Sequence, residues 1–154
     1  FRDITTLLKD KEGFKHVIDA FYERYKNIDV DAIAAIESRG FILGGALAHK
    51  LGLGFIPLRK PGKLPAETIG QDYVKEYGAD RIEIHKDAIT PGQKILLIDD
   101  LIATGDTAFA AIKLIEKLEG KVIEAGFIVN LPELKGKEKL NGYNVFNLIE
   151  FEGE

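Results

Sequence analysis

Residues 94–107 read KILLIDDLIATGDT, and no other stretch says as much about the fold. The apolar beginning, residues 94–98, predicts a core strand that leads directly into the acidic pair Asp99 and Asp100. A short turn rich in Thr and Gly follows, and apolar residues at helical spacing predict a helix over residues 107–118. A core strand that passes into a helix through a short turn is typical of an α/β domain.

The same alternation of strands and helices extends along the rest of the chain. Residues 32–36, AIAAI, are apolar without alternation, as expected of a strand covered on both faces of a parallel sheet. Further strands are predicted at residues 55–58, 122–129 and 145–149, and further helices at 13–27 and 41–51. We therefore predict an α/β fold with a mostly parallel central sheet flanked by helices, in a single domain over residues 1–154.

One long segment, residues 59–92, interrupts this alternation. It is rich in Pro and Gly and contains only short extended patches, of which residues 81–85 alternate like a strand with one solvated face. A connection of this length inside a compact domain is usually a lid, a binding loop or a mobile arm. We predict a flexible lid arm over about residues 63–88, and the alternative is a small β-excursion without a role.

The composition limits the chemistry that the chain can perform. Its 154 residues carry a formal net charge of −4, which argues against a nucleic-acid surface, and no apolar run is long enough to cross a membrane. The absence of Cys excludes disulfides and thiolate chemistry, and three His leave little scope for a His-rich metal site. We expect a cytoplasmic protein, and because the chain contains no Met, we expect a segment upstream of Phe1.

The turn after the acidic pair has the features of a phosphate site. In open α/β sheets, ligands bind outside the carboxyl ends of the strands, and a helix N-terminus offers unpaired N–H groups to an anion. Gly105 would let the backbone approach closely, and the hydroxyls of Thr104 and Thr107 could donate hydrogen bonds. Asp99 and Asp100 would accept hydrogen bonds from sugar hydroxyls or hold Mg²⁺ through water. The alternative is an acid-capped helix with a surface pair of Asp residues.

Two other strand ends carry cations. The first predicted strand passes into ESRG, residues 37–40, in which Arg39 could bind a multiply charged anion bidentately. The second leaves through RKPGK, residues 59–63, whose alternative interpretation is a solvated basic turn. The sequence contains neither the fingerprint of a P-loop nor that of a Rossmann dinucleotide site, so the kinases and dehydrogenases that use them are excluded.

These motifs resemble the type I phosphoribosyltransferase family, and within it the transferases that act on adenine. The resemblance runs from Phe1 to about Phe151 and rests on FRD at 1–3, ESRGF at 37–41, RKPGKLP at 59–65, EYG at 76–78 and the stretch 94–107. It implies transfer of a phosphoribosyl group from phosphoribosyl pyrophosphate to adenine, which gives AMP and pyrophosphate in purine salvage. It also implies Mg²⁺ as the cofactor and a homodimer as the assembly.

The resemblance assigns residues to three parts of the substrate: the ribose, the 5′-phosphate and the pyrophosphate. Asp99 and Asp100 would face the ribose hydroxyls. The loop that would bind the 5′-phosphate consists of Ala103, Thr104, Gly105, Asp106 and Thr107. The residues that would bind pyrophosphate, some of them across a dimer interface, are Ser38, Arg39, Arg59, Lys60 and Lys63. A cis peptide bond between Glu37 and Ser38 is part of the same resemblance.

The base and the catalytic step are assigned in the same way. Phe1 and Leu131 would sandwich the base, and the backbone of Arg2 would read its edge. Glu76 on the lid would help proton transfer at the purine. The catalytic residues implied by the resemblance are Glu76, Arg39, Asp99 and Asp100, and no residue is assigned as a direct metal ligand.

Two other functions stay open on this fold. A transferase for a 6-oxopurine would differ in its base pocket, and a nucleotide-sensing regulator would need a nucleic-acid surface or an extra domain, of which the sequence gives no sign. The chain also departs from the adenine-specific pattern at position 106. Asp106 stands where Gly is usual, and it brings a negative charge close to the predicted phosphate loop.

Overall fold

A computed structural model describes residues 4–75 and 77–152 of the chain. The helices are α1 (Thr5–Lys9), α2 (Lys11–Tyr25), α3 (Arg39–Leu51), α4 (Asp106–Lys117) and α5 (Gly136–Lys139), with a 3₁₀ turn at Pro132–Leu134. The strands are β1 (Ala32–Ile36), β2 (Gly54–Leu58), β3 (Thr68–Lys75), β4 (Gly78–His85), β5 (Lys94–Ile102), β6 (Lys121–Asn130) and β7 (Val145–Glu150). Within the described residues, no helix combines the length and apolar character that a membrane span needs.

The central sheet has five parallel strands in the order β2-β1-β5-β6-β7. Every residue of β1 is buried, because helices cover both faces of the sheet at this strand. Ala34 belongs to the core that includes α4, whereas Ile33 belongs to the core that includes α2 and α3. The predicted α/β fold with a mostly parallel central sheet is confirmed.

Strand β5 continues to Ile102, so the predicted strand end at Ile98 is wrong. Leu101 and Ile102 still pair with β6, and Asp99 and Asp100 therefore lie inside the strand. Carboxylates are seldom buried, which is why an acidic pair suggests a strand end in a sequence. Here Asp100 is only 5% exposed and Asp99 is partly buried, and such groups need charged or hydrogen-bonding partners.

Strands β3 and β4 form an antiparallel hairpin over most of the segment predicted as a lid arm. Ile82 and Ile84 of β4 are fully buried in the main core, and Arg59 and Glu83 form a β-bridge that fastens β4 beside the end of β2. Towards the turn the hairpin is exposed, since Val74 is 75% exposed. The arm is therefore anchored in the core by an apolar face at its base, whereas Val74 near the turn is exposed.

A buried ionic group joins α2 to the sheet near the beginning of β6. Glu124 is 8% exposed and accepts hydrogen bonds from Nε and Nη2 of Arg24, at 2.7 and 3.0 Å, and from the hydroxyl of Tyr25 at 2.7 Å. Burial acts to raise the pKa of Glu124, but the hydrogen bonds from Arg24 and Tyr25 outweigh it and lower that pKa below its ordinary value. Glu124 thus stabilises the fold in its charged form.

Glu124→Gln is expected to lower the free energy of unfolding at pH 7 by about 1–3 kcal/mol, because it removes the charge of a buried carboxylate that accepts hydrogen bonds from Arg24 and Tyr25. The pKa of Glu124 is lower in the folded protein than in the unfolded chain, where it is near 4.5. Its charge therefore stabilises the protein fully above that pH, and the contribution is lost as the pH falls through the pKa of the folded protein. The difference between variant and parent should therefore shrink in acid. Urea denaturation at pH 7 and at about pH 3 measures it.

The matched control is Glu23→Gln on the same helix. Glu23 contacts Lys26 at 2.6 Å, but its side chain is 65% exposed, so we expect a loss below about 0.5 kcal/mol. Equal losses from the two variants, or a difference that persists unchanged in acid, would contradict the role given to Glu124.

Candidate active site

A cavity of about 460 Å³ opens at the carboxyl ends of β1 and β5, on the edge of the sheet where the sequence placed its polar motifs. Its lining comes from the β1–α3 junction, the loop after β2, the hairpin, and the β5–α4 junction. The lining residues are 36–39, Lys60, Tyr73, Lys75, Ile82 and 99–108. The cavity thus collects both predicted phosphate motifs, although they are about 60 residues apart in the chain.

An acidic pair and an arginine form the centre of this cavity. Nε of Arg39 donates a hydrogen bond of 2.5 Å to Oδ2 of Asp100, and the backbone N–H of Asp100 donates one of 2.9 Å to Oδ1 of Asp99. Burial and the neighbouring charge of Asp100 raise the pKa of Asp99 well above its ordinary value, against the opposing effect of Arg39. Two full negative charges are therefore costly here until a cation or hydroxyl donors approach.

Close packing at the β1–α3 junction brings Asp99 to the beginning of α3. A Cβ atom on Gly40 would lie 2.9 Å from Oδ1 of Asp99, so a larger residue there would displace this carboxylate. The peptide bond between Glu37 and Ser38 is cis, as the resemblance implied. Ser38 is the N-cap of α3, and both Ser38 and Arg39 line the cavity.

The loop between β5 and α4 is held by its own polar groups. The hydroxyl of Thr104 donates to Oδ2 of Asp106 at 3.0 Å, and Nζ of Lys139 lies 3.6 Å from Oδ1 of the same carboxylate. The N-cap of α4 is Gly105, which makes no side-chain cap, so the acid-capped helix considered above is wrong. Oγ1 of Thr104 accepts the backbone N–H of Asp106 at 3.4 Å, and residues 105–108 at this helix end line the cavity.

Gly105 meets two requirements at once. Its φ of +85° lies in the region that favours glycine, and a Cβ atom there would lie 2.7 Å from the carbonyl oxygen of Gly136 in α5. The short helix α5, which no sequence pattern indicated, packs directly against the loop. A side chain at position 105 would therefore disturb the fold of the loop as well as any phosphate in it.

The predicted basic residues divide into two groups. Lys60 lines the cavity. Arg59 instead donates from Nε to Oε1 of Glu37 at 3.1 Å, and this oxygen also accepts the backbone N–H of Lys60 at 2.6 Å. Neither Arg59 nor the exposed Lys63 is among the residues that line the cavity.

Three polar residues of the hairpin were not predicted from the sequence, and of these two line the cavity and the third contacts them. Tyr73 and Lys75 of β3 line the cavity, and Asp80 of β4 contacts Nζ of Lys60 at 2.6 Å and Nζ of Lys75 at 3.0 Å. The pairing of Tyr73 with Asp80 in the hairpin register brings these groups together. Finding them in advance would have required this register, which the short extended patches did not define.

The predicted base-binding residues are not assembled in the part of the chain that the structure describes. Leu131 is 5% exposed, belongs to the core beside α2 and α3, and is not among the residues that line the cavity. Phe1 and Arg2 lie outside the described residues, and so does Glu76. Their predicted roles stay predictions.

Asp106→Asn is expected to lower KM for phosphoribosyl pyrophosphate about 3- to 10-fold and to leave KM for adenine unchanged. The substitution removes a negative charge from the loop predicted to bind phosphate, and it keeps an oxygen to accept from Thr104. Steady-state kinetics with each substrate varied in turn measures the effect. Asp87→Asn, at an exposed turn after β4, is the matched control. A raised or unchanged KM for the phosphorylated substrate would contradict the assignment of the loop.

Comparisons with known proteins identify the family of the chain. The chain matches the family model of the phosphoribosyl transferase domain over residues 3–154. Fold and cavity are thus those of a phosphoribosyl transferase domain. The chain is 58% identical to the adenine phosphoribosyltransferase of Chlorobium phaeovibrioides, over 100% of this chain and 89% of that protein.

Solved structures narrow the family further. The crystal structure of the adenine phosphoribosyltransferase of Thermoanaerobacter pseudethanolicus superposes with a TM-score of 0.95 at 48% identity, covering 98% of this chain and 88% of that one. The enzyme of Saccharomyces cerevisiae, in complex with an imino-altritol bisphosphate and adenine, gives a TM-score of 0.90 at 44% identity, covering 96% and 86%. The chain belongs to the adenine phosphoribosyltransferase family.

Proposed function

We propose that this protein transfers the phosphoribosyl group of phosphoribosyl pyrophosphate to adenine, giving AMP and pyrophosphate, as a pentosyl transferase of purine salvage. The observation that carries the proposal is one cavity in which the β5–α4 loop, the acidic pair and the cations Arg39 and Lys60 lie together. The family membership supports the choice of adenine, and the yeast relative was solved with adenine and a bisphosphate bound.

The 5′-phosphate and the ribose are assigned to the β5–α4 junction. The loop of residues 103–107 would hold the phosphate with its backbone N–H groups, at the positive end of the dipole of α4. Asp99 and Asp100 would accept hydrogen bonds from the ribose hydroxyls. Hydroxyl donors also relieve the repulsion between the two carboxylates, because they stabilise the charged form that burial disfavours.

The departure of pyrophosphate requires positive charge in the cavity. Cleavage of the bond at the ribose carbon develops oxocarbenium character in the sugar and negative charge on the leaving group. Ser38, Arg39 and Lys60 line the cavity and would bind that group, so that their donors would stabilise charge as it develops. The end of the hairpin near its turn would exclude water, which would otherwise capture the sugar cation.

The base would be recognised as the family resemblance implies. Phe1 and Leu131 would enclose adenine, the backbone of Arg2 would read its edge, and Glu76 would assist proton transfer at the purine. Leu131 already borders this region from the core, since its backbone N–H donates to the carbonyl of Ile102 at the end of β5. Glu76 follows Lys75 in the chain, and Lys75 lines the cavity.

The residues at the cavity fit a Mg²⁺ ion that is held mainly by the substrate. No cluster of three or more His, Cys, Asp or Glu suited to a metal occurs in residues 4–75 and 77–152, so a cage made of protein ligands alone is not formed by them. Asp99 and Asp100 supply carboxylate oxygens, the ligands that Mg²⁺ prefers, and would hold the ion directly or through water. When bound, the ion would neutralise charge on the pyrophosphate group.

We also propose a homodimer in the cytoplasm. Lys63 is exposed and does not line the cavity of its own chain, which is what a residue acting across an interface requires. Ile42 on α3 exposes 47% of its surface, an apolar side chain available for a partner. Phosphoribosyl pyrophosphate and AMP are charged phosphates that do not cross a bilayer unaided, and this supports the cytoplasm as the location.

The function is tested by incubating the protein with Mg²⁺, phosphoribosyl pyrophosphate and adenine and measuring AMP and pyrophosphate together. Equal amounts of the two products are expected. A parallel incubation without adenine separates transfer from hydrolysis of the donor. Tight binding of the phosphorylated substrate without any product would refute the enzyme and favour the nucleotide-sensing alternative.

A further inference from the structure

Two lysines from different parts of the chain share one carboxylate oxygen at the rim of the cavity. Lys60 follows β2 and Lys75 ends β3, and their ammonium groups lie 2.6 and 3.0 Å from Oδ2 of Asp80. Both lysines line the cavity. The hydroxyl of Tyr73 approaches the same oxygen at 3.4 Å. Asp80 is thus the meeting point of the hairpin and the loop after β2.

The cluster carries more positive than negative charge. One carboxylate faces two ammonium groups, and the hydrogen bond from Lys60, the backbone N–H of Arg81 and the contact with Lys75 hold the pKa of Asp80 well below its ordinary range. Asp80 therefore stays ionised and keeps both lysines in place. Each ammonium has three N–H donors, and a contact with Asp80 uses only one of them.

The position of the cluster suits a ligand with several negative charges. A single phosphate at the β5–α4 loop would be bound by that loop, and Lys60, Lys75 and Arg39 are three cations that line the same cavity. A lysine ammonium is a compact charge with rotatable N–H donors, so two of them can bind polyphosphate oxygens in more than one geometry. The positive charge of these residues therefore suits a pyrophosphate group.

We propose that Lys75 is a further pyrophosphate-binding residue and that Asp80 is the positioning residue that presents Lys75 and Lys60 to the ligand. The inference rests on the proposed phosphoribosyl transfer and extends it to a hairpin residue that none of the motifs above includes. Because Lys75 lies on the hairpin and Lys60 on the loop after β2, a pyrophosphate group bound by both lysines holds the end of the hairpin over the cavity.

Calorimetric titration with pyrophosphate in the presence of Mg²⁺ tests the proposal, with AMP as the comparison ligand. Lys75→Gln should weaken pyrophosphate binding about 3- to 10-fold and leave AMP binding unchanged, since AMP has no pyrophosphate group. Lys75→Arg, which keeps the charge, should bind within about twofold of the parent protein. Lys86→Gln, an exposed lysine just after β4 that does not line the cavity, is the matched control and should bind both ligands normally.

The variant Asp80→Asn distinguishes the positioning of Lys60 and Lys75 by Asp80 from the effect of the negative charge of Asp80 itself. If Asp80 positions the lysines, this variant should bind pyrophosphate more weakly than the parent protein, although it makes the cavity more positive. Tighter binding would overturn the role of Asp80, and unchanged pyrophosphate binding by Lys75→Gln, or an equal loss for AMP, would overturn that of Lys75. These failures differ from failure of the proposed function, in which the parent protein itself forms no AMP.

Discussion

Asp100→Asn is expected to fold like the parent protein and to form AMP at least about 100-fold more slowly. Asp100 fixes Arg39 through a 2.5 Å hydrogen bond and lies beside Asp99 in the same cavity. An amide has lost the charge that orients the guanidinium and the ribose hydroxyls, and misplacement of such groups typically costs about two orders of magnitude in rate.

Stability should change little in this variant, for a reason specific to the buried pair. Asn has nearly the shape of Asp, and its neutral side chain relieves the repulsion that raises the pKa of Asp99. Asp29→Asn, an exposed carboxylate at the other end of the sheet that contacts Lys94, is the matched control for activity. A large fall in melting temperature with normal turnover of the folded fraction would show that Asp100 serves the fold rather than the reaction.

Local patterns were sufficient for most of the fold. The apolar run of β1 predicts its ends at Ala32 and Ile36 correctly, because a strand that is buried on both faces is apolar at every position. The end of β5 was predicted too early because an acidic pair is more common in a loop than in a buried strand, and the contact of Asp100 with Arg39 is not visible in the sequence. The anchoring of the hairpin by Ile82 and Ile84 likewise depends on a core that only the folded chain defines.

In the candidate site, too, features formed by consecutive residues could be predicted, whereas contacts between residues far apart in the chain could not. The loop of residues 103–107 could be placed from its own sequence, since a strand, a glycine turn and a helix follow one another directly. The contacts of Arg59 with Glu37 and of Lys75 with Asp80 could not, because each joins groups whose approach depends on register and packing. The family resemblance implied five pyrophosphate residues, and three of them, Ser38, Arg39 and Lys60, line the cavity.

The second large effect expected is discrimination between purines. Adenine presents a 6-amino donor beside the N1 acceptor, whereas hypoxanthine and guanine present an O6 acceptor beside an N1–H donor. If the carbonyl and N–H of Arg2 read this edge, a 6-oxopurine leaves both groups facing like partners. Each mismatch costs about 1–3 kcal/mol, so two of them give a preference for adenine of roughly 100-fold or more.

A substitution at Arg2 distinguishes backbone from side-chain recognition. Arg2→Ala should leave the preference for adenine nearly unchanged, because the backbone groups that would read the base edge are retained. A preference that falls with the side chain would show that the guanidinium takes part in recognition. Comparing kcat/KM for adenine and for hypoxanthine in the two proteins gives the answer.

The most direct test of the central claim is the initial rate of pyrophosphate release from phosphoribosyl pyrophosphate and Mg²⁺ with adenine, hypoxanthine or guanine supplied separately. An adenine phosphoribosyltransferase should release pyrophosphate with adenine at least about 100-fold faster, at equal concentrations, than with either 6-oxopurine. Comparable rates with hypoxanthine or guanine would contradict the choice of adenine, and no release with any purine would contradict phosphoribosyl transfer itself.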